Sequence, residues 1–441
     1  MKHRLFYIVF LLLLSTGTVQ AAPLASRIAL DNGAILLVAE RPSIPMVVIH
    51  ILLKSGGAAD PTGKEGVANL TAELLTRGTK RHSAQALAEE LDFLGASLGV
   101  DADLETTSVT LTTLTKNLSA SLALLAEVLT SPTFPVAELE KKRVEIAGGL
   151  QSREEDPGWV AQRAFLEKLY PQHPYGRLVE GQTATLAALK RDDVVAFHQT
   201  HYRPNNAIIA VAGDISQSKF EKLLSIHLAE WQRGDIPDVA WPEEQQPTAT
   251  QVPLDKKVTQ ANVIIGHIGV TRANPDYYNI QVMNYILGGG GFGSRLMDKI
   301  REELGLVYSI GSSFSARKHA GPFTVVLQTK NASTKQALEE SLKVTNRFVE
   351  EGPTDTEVAE AKAYLINSFP LRLVSNRDVA ALLPVLEFHN LGLDYPDRYP
   401  MIIGQITREQ VHAAAKTYLH PDHLLQVIVA DLAQAGITKQ Q

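Results

Sequence analysis

Two hydrophobic periods alternate along the chain and mark out its elements. Apolar residues at alternate or successive positions predict strands over Ala34–Ala39, Met46–Leu53 and Thr106–Thr113. Between and after them, apolar residues three and four apart predict helices over Glu65–Thr76, Ala84–Leu94, Leu118–Leu129 and Val136–Gln151. Strands and long helices thus alternate irregularly. The pattern predicts an α+β architecture, a mainly antiparallel sheet with helices packed on one face.

The same pattern then recurs. Arg191 to Asp214 reads RDDVVAFHQTHYRPNNAIIAVAGD, and Arg408 to Asp431 reads REQVHAAAKTYLHPDHLLQVIVAD. Arg191 and Arg408, Val194 and Val411, Pro204 and Pro421, and Asp214 and Asp431 share one offset of 217 residues. In each copy a helix leads through a Pro turn into an apolar strand. The same offset aligns Met46–Leu53 with a strand over Asn262–Val270, which makes His50 and His267 equivalent. A duplicated domain explains this better than a solenoid. The Pro-, Gln- and acid-rich stretch GDIPDVAWPEEQQPTAT separates the copies. The expected division is a leader over 1–22, a first domain over 23–235, a linker over 236–250 and a second domain over 251–441.

Composition narrows the classes. Lys2 and Arg4, the apolar Leu5–Leu14 and the small residues around Ala21 predict a secretory signal cleaved after Ala21 or Ala22. The signal by itself implies export, and a periplasm is the expected location. With no cysteine there is neither a disulfide nor a thiolate metal site, so the core must hold the fold. A net charge of −6 offers no electrostatic footprint for nucleic acid, and no later stretch predicts an integral membrane segment.

The richest stretch is Leu287–Ile310, LGGGGFGSRLMDKIREELGLVYSI. Leu296, Ile300 and Leu304 recur at helical spacing and predict one buried face. Gly305 stands where a left-handed helix end is wanted, and Val307, Tyr308 and Ile310 begin a strand. Arg301 falls off the apolar stripe and Tyr308 follows seven residues later, a cation and a phenol suited to gripping a peptide carbonyl. Gly289 and Gly290 would let backbone approach a substrate, and Ser294 with Arg295 would start and anchor the helix. No Gly-Lys-Ser/Thr follows, so this is not a nucleotide loop.

The order LDNGAILLVAE, GGAADPTGKEGVANLTAELLTRGTKRHS, the RPNN strand and GGGGFGSRL…REELGLVYS resembles the pitrilysin/insulinase family of zinc peptidases across nearly the whole chain. Its small members include the mitochondrial processing peptidases and bacterial two-subunit relatives. The resemblance implies two homologous domains enclosing a peptide chamber. It also implies an inverted zinc motif, H-x-x-E-H, between a G-x-A and an Arg/Lys-Gly-Thr. Gly66-Val67-Ala68 and Arg77-Gly78-Thr79 keep those flanks. The two histidine positions hold Asn69 and Glu73, the general base is Ala72, and the distal glutamate, counted back from Pro157, is Gly149. No zinc is therefore expected on this chain. Arg301 and Tyr308 match the spacing of the family's substrate-binding pair. The implied function is the metal-free subunit of an exported two-chain metallopeptidase, acting on peptides, with zinc in a partner that carries H-x-x-E-H. The other reading is a non-catalytic scaffold or peptide-binding protein.

His198-x-x-His201 and His420-x-x-His423 have a metal-like spacing, yet neither has a third ligand in reach. They read as packing residues at matching places in the repeat.

Overall fold

The computed structural model describes residues 24–438; the leader expected at 1–22 lies outside them. Six strands form the first sheet: β1 (Ser26–Ala29), β2 (Ile35–Glu40), β3 (Met46–Leu53), β4 (Ser97–Ala102), β5 (Thr107–Leu114) and β6 (Ala207–Gly213), in the order β1-β2-β6-β3-β5-β4. Five form the second: β7 (Thr250–Asp255), β8 (Gln260–Ile268), β9 (Val307–Phe314), β10 (Pro322–Lys330) and β11 (Leu425–Ala430), in the order β7-β11-β8-β10-β9. Each sheet is antiparallel except for one parallel pair, β2 with β6 and β11 with β7. The α+β architecture read from the sequence is the observed one, and the predicted helices appear within a few residues of their expected ends.

Strand composition explains how the halves are joined. Every residue of β6 is buried, so both faces of the sheet must be covered. Helices Val67–Leu74, Leu118–Thr130 and Arg191–His201 cover one face. Val379, Ala380 and Leu383 of the helix Asn376–Phe388, from the second half, cover the other against Leu37, Val48, Ile208 and Ala210. The second sheet mirrors this. Its far face, with Ile264, Leu425 and Val427, receives Ala161 and Phe165 of the first-half helix Pro157–Leu169. Each half therefore covers the open face of the other's sheet. Arg27 clamps Glu387 at 2.9 and 2.7 Å, and Arg41 donates to Asn376 Oδ1 at 3.1 Å, fixing the first of these crossings at its rim.

The ladders correct one equivalence. His50 pairs with Ala210, whose counterpart by the 217-residue offset is Val427; Val427 pairs with Ile264, not His267. His267 lies three residues further along β8, and the two histidines are not equivalent. Each simply satisfies itself locally. His50 Nδ1 meets Thr110 Oγ1 at 2.8 Å, and His267 Nε2 accepts the His420 amide at 3.3 Å.

Candidate functional site

Asn69 and Glu73 lie one turn apart on the helix Val67–Leu74, and Gly149 lies on the neighbouring helix Val136–Arg153. These three line one cleft of about 380 Å³, with Asp101, Lys142, Glu145, Arg153 and Glu180 among its other walls. Ala72, three residues after Asn69 on the same helix, is buried, and its methyl group does not reach the cleft. The cleft is organised by a residue that the sequence reading passed over. Lys142, only 7% exposed, places Nζ 3.0 Å from Glu73 Oε2 and 3.0 Å from Glu145. Burial works against its charge, but the hydrogen bonds to Glu145 and Glu73 outweigh it and hold its pKa above the usual lysine value. Asp101 is raised, first by burial and then by the carboxylates of Asp103, Glu73 and Glu180.

A zinc ion does not fit here. Of the motif positions only Glu73 offers a carboxylate, and that carboxylate is already paired with an ammonium. Binding a dication would require expelling Lys142 and would still leave too few donors. Lys142 was findable in principle, because it lies two helical turns before Gly149 on the same face.

The second-half loop has the opposite character. The helix Tyr277–Asn284 runs into a wide π-helical turn over Tyr285–Gly289, so the glycines close one helix before the next begins. Gly288 is required by contact, since a Cβ there would lie 2.6 Å from both Ser312 N and Ser312 Oγ of β9. Asn284 completes that attachment, donating to Ser312 O at 3.1 Å and accepting from Ser312 Oγ at 2.8 Å. Gly289 is exposed and Gly290 half-buried.

Ser294 is corrected. Its carbonyl starts the helical segment by accepting the Asp298 amide at 2.9 Å, but the residue is 1% exposed and its hydroxyl donates back to Gly291 O at 2.7 Å, so the side chain is buried away from a peptide. Arg295 is the anchor. Its guanidinium forks onto Glu357 at 2.6 and 2.8 Å, donates to Gly352 O at 2.9 Å and packs 4.8 Å over the Phe348 ring.

The following segment, Met297–Glu303, is π-helical rather than α-helical. Leu296 and Ile300 are buried as expected, but the wider turn swings Leu304 out to 37% exposure. Gly305 ends the segment at φ +61°, and β9 follows. Arg301 stands one third exposed, its guanidinium carbon 4.8 Å over the ring of Phe292. Tyr308 is 70% exposed, and its hydroxyl has no hydrogen-bond partner among the described residues. The π-helical segment and β9 pack against one another. A cation, an aromatic ring and a free phenol thus reach solvent from firmly held backbone.

The histidine pairs hold protein groups instead of metal. His198 Nε2 donates to Leu129 O at 2.9 Å and His201 Nδ1 meets Ser55 Oγ at 3.0 Å, while His423 Nδ1 faces Pro247 O at 3.0 Å.

Comparison with known proteins gives this geometry a family. Residues 36–183 match the model described as Insulinase (Peptidase family M16), and residues 188–365 match the Peptidase M16 inactive domain. A Helicobacter pylori protein called non-peptidase homolog YmxG is 30% identical over 336 residues, 76% of this chain and 77% of that one. The chain belongs to peptidase family M16. The solved M16 inactive-domain structure from Pseudomonas fluorescens superposes with a TM-score of 0.87 at 29% identity, over 92% of this chain and 97% of that one. The periplasmic protease PqqL from Escherichia coli shares the fold at 16% identity and a TM-score of 0.80, over 93% of this chain but 46% of that one. The protein is thus an M16 member whose first half lacks the ligand set of a zinc peptidase. Among the described residues no helix is long and apolar enough to cross a membrane.

Proposed function

We propose that this chain is the metal-free subunit of an exported two-chain M16 peptidase. A partner bearing H-x-x-E-H would hold the metal and the general base. This chain would supply Arg301 and Tyr308 to hold the peptide backbone and donate hydrogen bonds as its carbonyl oxygen gains charge. Backbone at the exposed Gly289 and the half-buried Gly290 would border the peptide. The observation that carries the reading is the contrast within one chain. At the metal position Glu73 is taken up by the buried Lys142, whereas Arg301, with only the exposed Glu302 at 3.8 Å, and Tyr308 reach solvent on anchored backbone. The periplasmic protease matched over 46% of its length supports a working unit of two such folds. Within this chain the two domains would run from 23 to 235 and from 251 to 441, joined by 236–250, after removal of 1–22.

A second reading, a non-catalytic scaffold or peptide-binding protein, is favoured by the likeness to the Helicobacter pylori relative called a non-peptidase homolog. Sedimentation of the mature chain with the H-x-x-E-H relative of the same organism, followed by peptide cleavage, separates the two. The peptidase reading expects a one-to-one complex that cleaves peptides which neither chain cleaves alone. A relative that is fully active by itself and ignores this chain would overturn that reading in favour of the scaffold.

A further inference from the structure

Away from both regions, a histidine, a glutamate and a second histidine converge from three separate segments. His173 precedes the turn Pro174–Gly176 of the first half, Glu244 belongs to the connection between the halves, and His319 lies in the hairpin between β9 and β10. Among the described residues this is the one group of its kind whose ligand atoms all lie within 4.8 Å of one another. Glu244 Oε1 is 3.6 Å from His173 Nε2 and 3.6 Å from His319 Nδ1. Donors bound at about 2.0–2.2 Å to one tetrahedral zinc stand roughly 3.3–3.6 Å apart, the spacing that Glu244 already has to each histidine.

Three further features point to an ion. His173 is 4% exposed, and its Nε2 has no hydrogen-bond partner although it is aimed at the cluster. Trp241 stacks on the His319 ring at 4.1 Å and holds its orientation. The Ala320 amide donates to Glu244 Oε1 at 3.2 Å, orienting the carboxylate as outer partners of metal ligands do. His319 also borders a cavity of about 360 Å³, which provides a path in.

We propose that His173, Glu244 and His319 bind a single divalent transition ion, best matched by zinc, with water completing the shell. The ion would tie the connection to both halves, in a chain that has no cysteine to do so. Binding requires one proton rearrangement. The Tyr175 amide now donates to His173 Nδ1 at 3.1 Å, so the neutral ring carries its proton on Nε2. The metal takes Nε2, that proton leaves, and the ring gains one on Nδ1 while the Tyr175 amide turns away. The ring's own proton count does not change.

The test uses the full mature chain, purified without a histidine tag and titrated with zinc chloride and with cobalt(II). One equivalent should bind, cobalt should show the strong visible absorption of four-coordination, and the Tyr175 amide resonance should move. Glu244→Gln and His319→Ala, at partly exposed positions, should each weaken binding by about tenfold or more. His173 is left intact because its removal would open a buried space. No uptake in excess zinc, or unchanged affinity in both variants, overturns the proposal. So does uptake lost in Glu73→Gln but kept in Glu244→Gln, which would put the ion in the first-half cleft.

Discussion

The first-half cleft and the second-half loop occupy related places in a duplicated fold, but they treat charge in opposite ways. In the cleft Lys142 is drawn inside and answered by Glu73 and Glu145. In the loop Arg295 is the tightly answered cation, forked onto Glu357, whereas Arg301 has only the exposed Glu302 at 3.8 Å and stays one third open over Phe292. A charge neutralised within the protein contributes to the fold, whereas one held in place and left open can act on something else. The cleft at the motif positions is therefore ordered around an internal cation, and the chemically open groups lie on the other half.

The largest effect expected from breaking this contrast lies in the loop. In a mixture with the H-x-x-E-H relative, Arg301→Ala should lower kcat by about 10²–10³, the range for removing a donor to a developing oxyanion. Tyr308→Phe, which removes only a hydroxyl, should cost less. Circular dichroism melts should show both variants as stable as the parent, because neither side chain is buried.

Next come the two crossing helices, which belong to both halves at once. Leu383→Ala and Phe165→Ala each empty a fully buried site between a sheet and a helix from the opposite half. Each should cost about 2–5 kcal/mol in urea unfolding. Both should lower one shared transition, since neither half has a covered sheet without the other. Two separated transitions would show that the halves are energetically independent.

Acid should act on both halves alike. His198 in the first half and His267 in the second are pushed down to about 4, chiefly by burial, from an ordinary value of 6.5. A depressed histidine binds its proton more readily when unfolded. The stability it contributes is therefore complete above about 6.5 and is lost as pH falls towards about 4. Within that window each should cost up to about 1.4 kcal/mol per pH unit. His201 and His389, likewise pushed down to about 4 by burial, act over the same window. Urea melts at stepped pH check this, and a flat profile over that window would contradict it.

The smallest effect is in the cleft. Lys142→Met should cost about 1 kcal/mol or less, because Glu73 and Glu145 are 41% and 66% exposed and water can take over. Its value lies in a combination. Restoring the motif through Asn69→His, Ala72→Glu, Glu73→His and Gly149→Glu should yield no peptide cleavage until Lys142 is also replaced.

What could be read beforehand follows from what is local. Strands such as β3 and the helix after Arg408 announce themselves by period, and the Pro204 and Pro421 turns by chemistry. Gly305 showed its left-handed backbone because few other residues adopt it. The crossings of Asn376–Phe388 and Pro157–Leu169 were hidden, since an apolar helix face does not name the sheet it will cover. The exposure of Leu304 was hidden too, because a 3.6-residue period cannot foresee a π-helical turn. The motif register located Asn69, Glu73 and Gly149, but Lys142 acquired meaning only once two helices were side by side. His173, Glu244 and His319 carry no signal at all along the chain, being joined solely by the fold.

The most direct test of the asymmetry is one kinetic comparison: kcat/KM for peptide cleavage by the two-chain mixture, with this chain as parent, as Lys142→Met, and as Arg301→Ala with Tyr308→Phe. The account predicts near-parent activity for Lys142→Met and a loss of at least about 10² for the loop variant at unchanged association. Equal activity for all three chains would contradict it, and so would a loss confined to Lys142→Met.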